Sequence, residues 1–323
     1  MPAHPNRPRY AARLNAFRPE GGGVVADMIA GAASVGGIDA ADLNYPDHFA
    51  RHSPAELAQL LADGGMAVNG LAMRYYTEQG FRLGAFTHPD AAIRRTAIDL
   101  TKRGIDAGAE MGSRLMTLWL GQDGYDYPFQ ADYARLWDDT VAAIAEVCDH
   151  APGVDIAIEY KPNEPRAFAL LPDMAATLLA IADVGRANLG VTLDFAHVLY
   201  AGEMPAAAAT LADRRSRLLG VHLNDAYGKR DDGLMAGTIH PVQTVELFVV
   251  LARIGWDGVI YFDTFPDHGG TDPVEEARTN IRLTERLRVI AAGLAGDAAL
   301  ADAIARQDAA ASQRIVAAAL YGA

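Results

Sequence analysis

The sequence predicts a closed (β/α)₈ barrel, on three observations. Eight short β-prone runs alternate with longer helical ones, and that alternation calls for a parallel sheet whose strands are joined by crossover helices. The chain has 323 residues, enough for eight such units in one domain. Polar side chains able to hold a cation recur where the later runs end, and a barrel collects its active site at the C-terminal ends of its strands. An open, doubly wound sheet is the alternative. Its usual phosphate loop would follow the first strand, and "RPEGGGVVADM" there is Gly-rich without the G-x-G-x-x-G spacing.

The elements follow in order. The first three strands are read in "YAARLNAF", "GIDAADLNY" and "MAVNGLAMRY". A helix is expected over "DAAIRRTAIDLTKRGIDAGAEMG", opening on Asp and closing on Gly. The fourth strand is "SRLMTLWLG", and the helix after it, "DYARLWDDTVAAIAEVCDH", holds the only cysteine, Cys148. One cysteine makes neither a disulfide framework nor a thiolate cluster, so Cys148 is read as buried filler. "VDIAIEYKP" is the fifth strand, broken at Pro162. "NLGVTLDFAH" and "LLGVHLND" are the sixth and seventh, the helix "PVQTVELFVVLARIG" comes next, and "GVIYFDTF" is the eighth. The barrel is expected to occupy residues 1–292. The Ala-rich stretch 293–323 is expected to be a C-terminal helical extension packed on the barrel or on another subunit of a homodimer or homotetramer.

Charge excludes some partners. Lys and Arg total 28 against 41 Asp and Glu, a net charge of −13. Nucleic acid needs a basic surface, and an anionic membrane needs the same. No apolar run is long enough to span a bilayer, and "MPAHPNRPRYAARLNAF" has no apolar signal core. A cytoplasmic protein acting on a small molecule is the expectation.

The fifth strand ends in Glu159 and Lys161, two residues apart and therefore on one side of the strand. The sixth ends in Asp194 and His197; the seventh carries His222, Asn224 and Asp225; the eighth carries Asp263. The spacing of roughly 30–40 residues is about one βα unit. It would set Glu159, Asp194, His222 and Asp263 on one ring. Three carboxylates and an imidazole make a hard site suited to Mn²⁺, with Mg²⁺ or Co²⁺ as alternatives. Asp231 and Asp232, on the loop after the seventh strand, would hold a second ion with His197 and a shared His222. Trp119, and Phe195 or Phe265, offer apolar walls for a sugar. Against this stand plainer readings: a buried Glu159–Lys161 ion pair, and Asp194 or Asp263 as helix caps. His48, His52, His88, His240 and His268 are read as loop or surface residues.

"EYKPNEPR" and "LLPDMAATLLAI" resemble the fifth strand and following helix of the xylose isomerase family. "LGAFTHPDAAIRRTAIDLTKRGIDAGAEMGSRLMTLWLGQDGYD" resembles its third helix and Trp-Gly loop. "VTLDFAHVLYAGE" and "GVHLNDAYGKRDDGLMAG" are similar to the metal strands of the manganese-dependent L-rhamnose isomerases, and "IYFDTFPD" to their eighth-strand ligand. The resemblance covers about Gly84 to Leu283. It implies that Glu159, Asp194, His222 and Asp263 hold one metal, and that His197, His222 and Asp231 hold a mobile second one. It also implies that Lys161 binds the substrate's carbonyl oxygen and that Trp119 is the aromatic wall. Glu159, Lys161, His197 and Asp263 then become the catalytic set. Arg74, Tyr76 and Asn224 are the remaining expected substrate contacts, and loop shape around Arg74, Tyr75, Tyr76 and Trp119 is expected to set the choice of sugar. Two positions depart from the pattern. The family's Asp-x-Asp-Leu has Gly233 in place of its second Asp, and no His follows the third strand, where Arg74, Tyr75 and Tyr76 stand.

The implied reaction is metal-dependent interconversion of an aldose and a ketose by a hydride or proton shift between C1 and C2. Alternatives on the same barrel are a ketose 3-epimerase, a sugar lyase or a dehydratase. A nuclease would need a basic groove, which the charge argues against, and a non-catalytic sugar-binding barrel would leave the ligand set unused.

Overall fold

The computed structural model describes residues 9–19, 22–77 and 79–322. Eight parallel strands close into a barrel: β1 (Tyr10–Arg13), β2 (Ala40–Tyr45), β3 (Ala67–Met73), β4 (Leu115–Leu118), β5 (Asp155–Glu159), β6 (Leu189–Asp194), β7 (Leu218–Leu223) and β8 (Ile260–Phe262). Each strand pairs with its neighbours in chain order, and β1 closes the ring on β8 through Tyr10 opposite Ile260 and Ala12 opposite Phe262. The rings of Tyr10 and Phe262 stack 5.3 Å apart across that seam.

All eight expected strands form. The first is shorter than its apolar run, because Leu14–Phe17 turns into a 3₁₀ helix beyond Arg13. The helices around the barrel are α1 (Val25–Ser34), α2 (Pro54–Asp63), α3 (Ala91–Glu110), α4 (Tyr133–His150), α5 (Met174–Val184), the short α6 (Phe195–Tyr200), α7 (Pro205–Arg215), α8 (Pro241–Arg253), the single turn α9 (Pro266–Gly269) and α10 (Pro273–Ala295). Two further helices, α11 (Ala298–Ala305) and α12 (Ala309–Tyr321), follow. Asp90, Asp132, Asp173 and Asp272 cap α3, α4, α5 and α10, each accepting hydrogen bonds from first-turn amides that have no partner within the helix. Among the described residues no helix is long and apolar enough to cross a membrane.

Alternation along the strands separates core from site. On β5, Ile156 and Ile158 belong to the large apolar cluster shared with Ile144 and Val147 of α4. Ala157 and Glu159 take the opposite side, toward the barrel axis. Cys148 lies in the same cluster, and burial pushes its thiol up to about 12, so it is inert packing. A two-stranded antiparallel ribbon, Gly124–Tyr125 with Phe168–Ala169, joins the loops after β4 and β5 at the rim.

Close strand packing sets one local requirement. A Cβ at Gly190 of β6 would lie 2.6 Å from the Arg217 carbonyl oxygen and 2.7 Å from the Leu219 side chain. Gly190→Ala is expected to lower stability by about 1–3 kcal/mol, as overpacking does. Gly153→Ala, at a site with nothing within 4 Å, should stay within about 0.5 kcal/mol of the parent. Urea unfolding of the two variants checks the pair.

Candidate metal centre

The four strand-end residues do converge. One ligand atom each from Glu159, Asp194, His222 and Asp263 lies within 4.8 Å of the others. The parallel register brings two of them together directly, since Asp194 pairs with His222, while Glu159 pairs with Thr192, two residues before Asp194 on the same strand. His222 Nδ1 is 3.2 Å from Glu159 Oε1 and 4.0 Å from Asp194 Oδ2. Asn224 sits behind the group. Its Nδ2 donates to both Asp194 oxygens, at 3.3 and 3.2 Å, and to the Asp263 carbonyl, while its Oδ1 accepts from Ala196 N. Asn224 is fully buried and does not line the cavity, so the structure gives it the task of aiming Asp194 in place of the expected contact with substrate. Asp194 is also the N-cap of α6, accepting from His197 N at 2.9 Å. The cap and the ligand reading hold for the same carboxylate, because its two oxygens point different ways.

Beside this group lies a second one. His197 Nε2 is 3.1 Å from Asp231 Oδ2, and Lys161 Nζ approaches the same oxygen at 3.2 Å. Lys161 also pairs with Glu164 at 2.9 Å and stands 5.4 Å from the centre of the Trp119 ring. The other ring nitrogen of His197 and the other oxygen of Asp231 are buried with no hydrogen-bond partner. His197 Nδ1 lies 3.6 Å from Glu159 Oε1, so this imidazole spans the two groups. Asp232 does not join them: its carboxylate accepts from Arg230 and from Tyr227 N within its own loop. Gly233 has a physical reason. Its φ is +57°, and a Cβ there would meet the Phe265 ring at 2.3 Å.

The electrostatics fit a cation-binding site. Burial, with the charges around it, pushes Asp194 up to about 7. Burial lowers His222, but Glu159, Asp263 and Asp194 together outweigh it and the imidazole rises to about 10; His197 is raised to about 9 against burial by Asp194 and Asp231. Burial would raise Glu159 and Asp231, yet His222 holds Glu159 below the usual range and His197 holds Asp231 well below it. Asp263 is raised, chiefly by burial. Protons on the histidines thus do the work of a positive charge in a water-poor site. A divalent cation would do it with less crowding, and the hard donor set and orphaned polar atoms fit one.

These residues open into a cavity of about 420 Å³ that is also lined by Arg13, Asn44, Arg74, Tyr76, Trp119, Tyr261, Phe265 and His268. Of the expected apolar walls, Trp119 and Phe265 face it; Phe195 is fully buried elsewhere. Tyr75 is also buried, packed against Phe81 and Phe86 with its hydroxyl on Thr101. His48 and His88, expected near the surface, are buried as well. His48 Nδ1 accepts from Asn44 N and its Nε2 meets Asn15 Oδ1, while His88 Nδ1 accepts from Asp90 N. Arg13, Asn44 and Tyr261 were missed by sequence reading. A period of two would have found them: Arg13 ends β1 two residues after Ala11, and Tyr261 stands two before Asp263. Arg13 pairs with Asp267 at 2.7 Å and reaches within 3.9 Å of Asp263.

Known proteins share this fold. A xylose isomerase of Thermus thermophilus is 29% identical over 211 residues, 63% of this chain and 54% of that protein. One from Thermus caldophilus is 28% identical over 243 residues, 70% and 62% of the two chains. The chain therefore spans only between half and two thirds of the length of these relatives. Among solved structures, an L-ribulose 3-epimerase superposes with a TM-score of 0.70 at 19% identity, covering 90% of this chain and 99% of that one. A D-psicose 3-epimerase from Clostridium cellulolyticum H10 gives 0.67 at 17%, covering 86% and 99%; at such identities the likeness is one of fold. The model of the xylose isomerase-like TIM barrels matches residues 29–287, most of the closed barrel just described, and the chain belongs to that family.

Proposed function

We propose that this protein is a metal-dependent sugar isomerase that interconverts an aldose and a ketose. The observation that carries the reading is the pairing of a compact four-ligand cluster with Lys161, whose ammonium stands between Asp231 and the Trp119 ring at the edge of the same cavity. Glu159, Asp194, His222 and Asp263 would hold one divalent cation, Mn²⁺ by preference. His197 and Asp231, each with one buried polar atom lacking a partner, would help to hold a second. When bound, the metal would supply Lewis acidity toward neighbouring sugar oxygens and would make nearby water more acidic.

The chain's own residues then have separate tasks. Lys161, kept charged by Asp231 and Glu164 despite its burial, stabilises negative charge growing on the carbonyl oxygen. Asp231 and His197 share a hydrogen bond through which a proton can move at the edge of the cavity. Trp119, Tyr76 and Phe265 wall the open-chain sugar and limit water. Asn224 keeps Asp194 aimed.

A second reading, a ketose 3-epimerase, rests on one observation. Glu159 and Asp263 both line the cavity, one held toward its ionised form and the other toward its protonated form, a base and an acid. Product identification after Mn²⁺ loading separates the readings, because an aldose product supports the isomerase and an epimeric ketose supports the alternative.

Three outcomes are expected. Glu159→Gln should lose bound metal and reduce turnover about 100-fold or more, whereas Lys161→Met should retain metal and lose turnover to a similar degree; metal analysis beside a sugar assay checks both. Metal binding should release protons near neutral pH, since His222 and His197 are raised to about 10 and 9 and must give up their protons to bind. Affinity should therefore rise with pH between 6 and 9, by up to about tenfold per unit for each proton released. Calorimetry in buffers of different ionisation enthalpy reads the protons directly. Finally, Gly233→Asp should not strengthen the second site. The new side chain collides with Phe265, so second-site affinity is expected to stay the same or fall in a metal titration, and thermal stability to drop.

A further inference from the structure

One cation in the cavity has no carboxylate partner. Among the described residues, the Arg74 side chain makes no ion pair and no hydrogen bond, and its Nε is buried without a partner. The other cations of the cavity are paired, Arg13 with Asp267 and Lys161 with Asp231 and Glu164. A buried guanidinium hydrogen without an acceptor is costly, and an arginine fork matches carboxylate and phosphate oxygens.

Its placement is informative. The Arg74 guanidinium lies 5.0 Å from the Tyr76 ring centre, Tyr76 meets Trp119 edge-on at 5.2 Å, and Lys161 stands 5.4 Å from Trp119. The two cations thus occupy opposite ends of one aromatic wall, with the metal cluster beside Lys161. Asn44, which pairs with Ala72 on the neighbouring strand, lines the same cavity. His48, just behind Asn44, is driven down to about 3 by burial and then by Arg74, Arg18 and Arg13, and stays neutral.

We infer that Arg74, with Asn44, is a binding site for an anionic oxygen group, a carboxylate or a phosphate, carried on the end of the substrate remote from the metal. The natural substrate is then an acidic sugar in place of a neutral one. The inference rests on reading this cavity as a sugar site, though not on which bond is rearranged there. It also gives a use to the position where the sequence lacks the family's histidine.

The test is calorimetric binding to the Mn²⁺-loaded full chain, with D-glucuronate against D-glucose and D-ribose 5-phosphate against D-ribose. The parent should prefer the anionic member of at least one pair by about tenfold or more. Preference in the first pair alone identifies a carboxylate, in the second alone a phosphate, and in both the shared chemistry. The ratio should collapse toward one in Arg74→Met and be partly kept in Arg74→Lys. The inference is overturned if the parent shows no preference in either pair, if nothing binds, or if the preference survives in Arg74→Met. A parallel turnover assay keeps the two readings apart. Isomerised sugars with no Arg74-dependent preference would leave the isomerase and remove the anion site. An Arg74-dependent preference without any isomerised product would do the reverse.

Discussion

The structure turns on the crowding of Glu159, Asp194, His222 and Asp263 within 4.8 Å at buried strand ends. Carboxylates at that separation repel, and out of water the repulsion is weakly screened. The polypeptide answers with protons on His222 and His197, and with Asn224 tied to Asp194. That answer is partial, since His197 Nδ1 and Asp231 Oδ1 remain buried without partners. A divalent cation would relieve the repulsion between the carboxylates. Barrel closure makes the crowding tolerable: the strands are fixed by their ladders and by the helices outside, so the ligands cannot simply move apart.

The same constraint explains the division of labour along β5. Ile156 and Ile158 anchor the strand in the apolar cluster outside the barrel, while Glu159 and Lys161 emerge where the ladder stops. A rigid strand holds both charges in place at little further entropic cost. Lys161 is set between Asp231, Glu164 and an aromatic face, so its ammonium is both positioned and kept protonated. Asp231 links it to His197, so the two groups share one carboxylate oxygen.

Much of this was legible in the sequence, for a physical reason. A buried parallel strand reads as an apolar run, so a carboxylate or imidazole at its end stands out, as Glu159, Asp194, His222 and Asp263 do. The eight strands were legible for the same reason. What failed depended on direction. Asn224 and Phe195 occupy strand ends but are turned behind the cavity, and Tyr75 goes to the core while its neighbour Tyr76 goes to the site. Arg13 escaped notice because β1 is short and bends at once into a 3₁₀ turn. His48 looked like a loop residue, yet its two ring nitrogens join Asn44 to Asn15, a tertiary relation no local pattern announces.

Gly233 shows how a departure from a family pattern is read physically. Missing an acidic side chain, the loop after β7 instead admits the Phe265 ring against its backbone, and Phe265 N donates to the Gly233 carbonyl at 2.9 Å. Phe265 in turn lies under the Arg13 guanidinium at 4.8 Å, and Arg13 reaches Asp263. The glycine is therefore connected through packing to a residue of the principal cluster. What a second carboxylate would have given to a metal, this loop gives to an aromatic wall and to the orientation of Arg13. The four ligand residues gather around the ends of β5 to β8, while Arg13, Arg74, Tyr76 and Trp119 come from the ends of β1, β3 and β4. A substrate held across the cavity would meet oxygen and nitrogen ligands at the cluster and, at Arg74, a guanidinium whose Nε has no acceptor among the described residues.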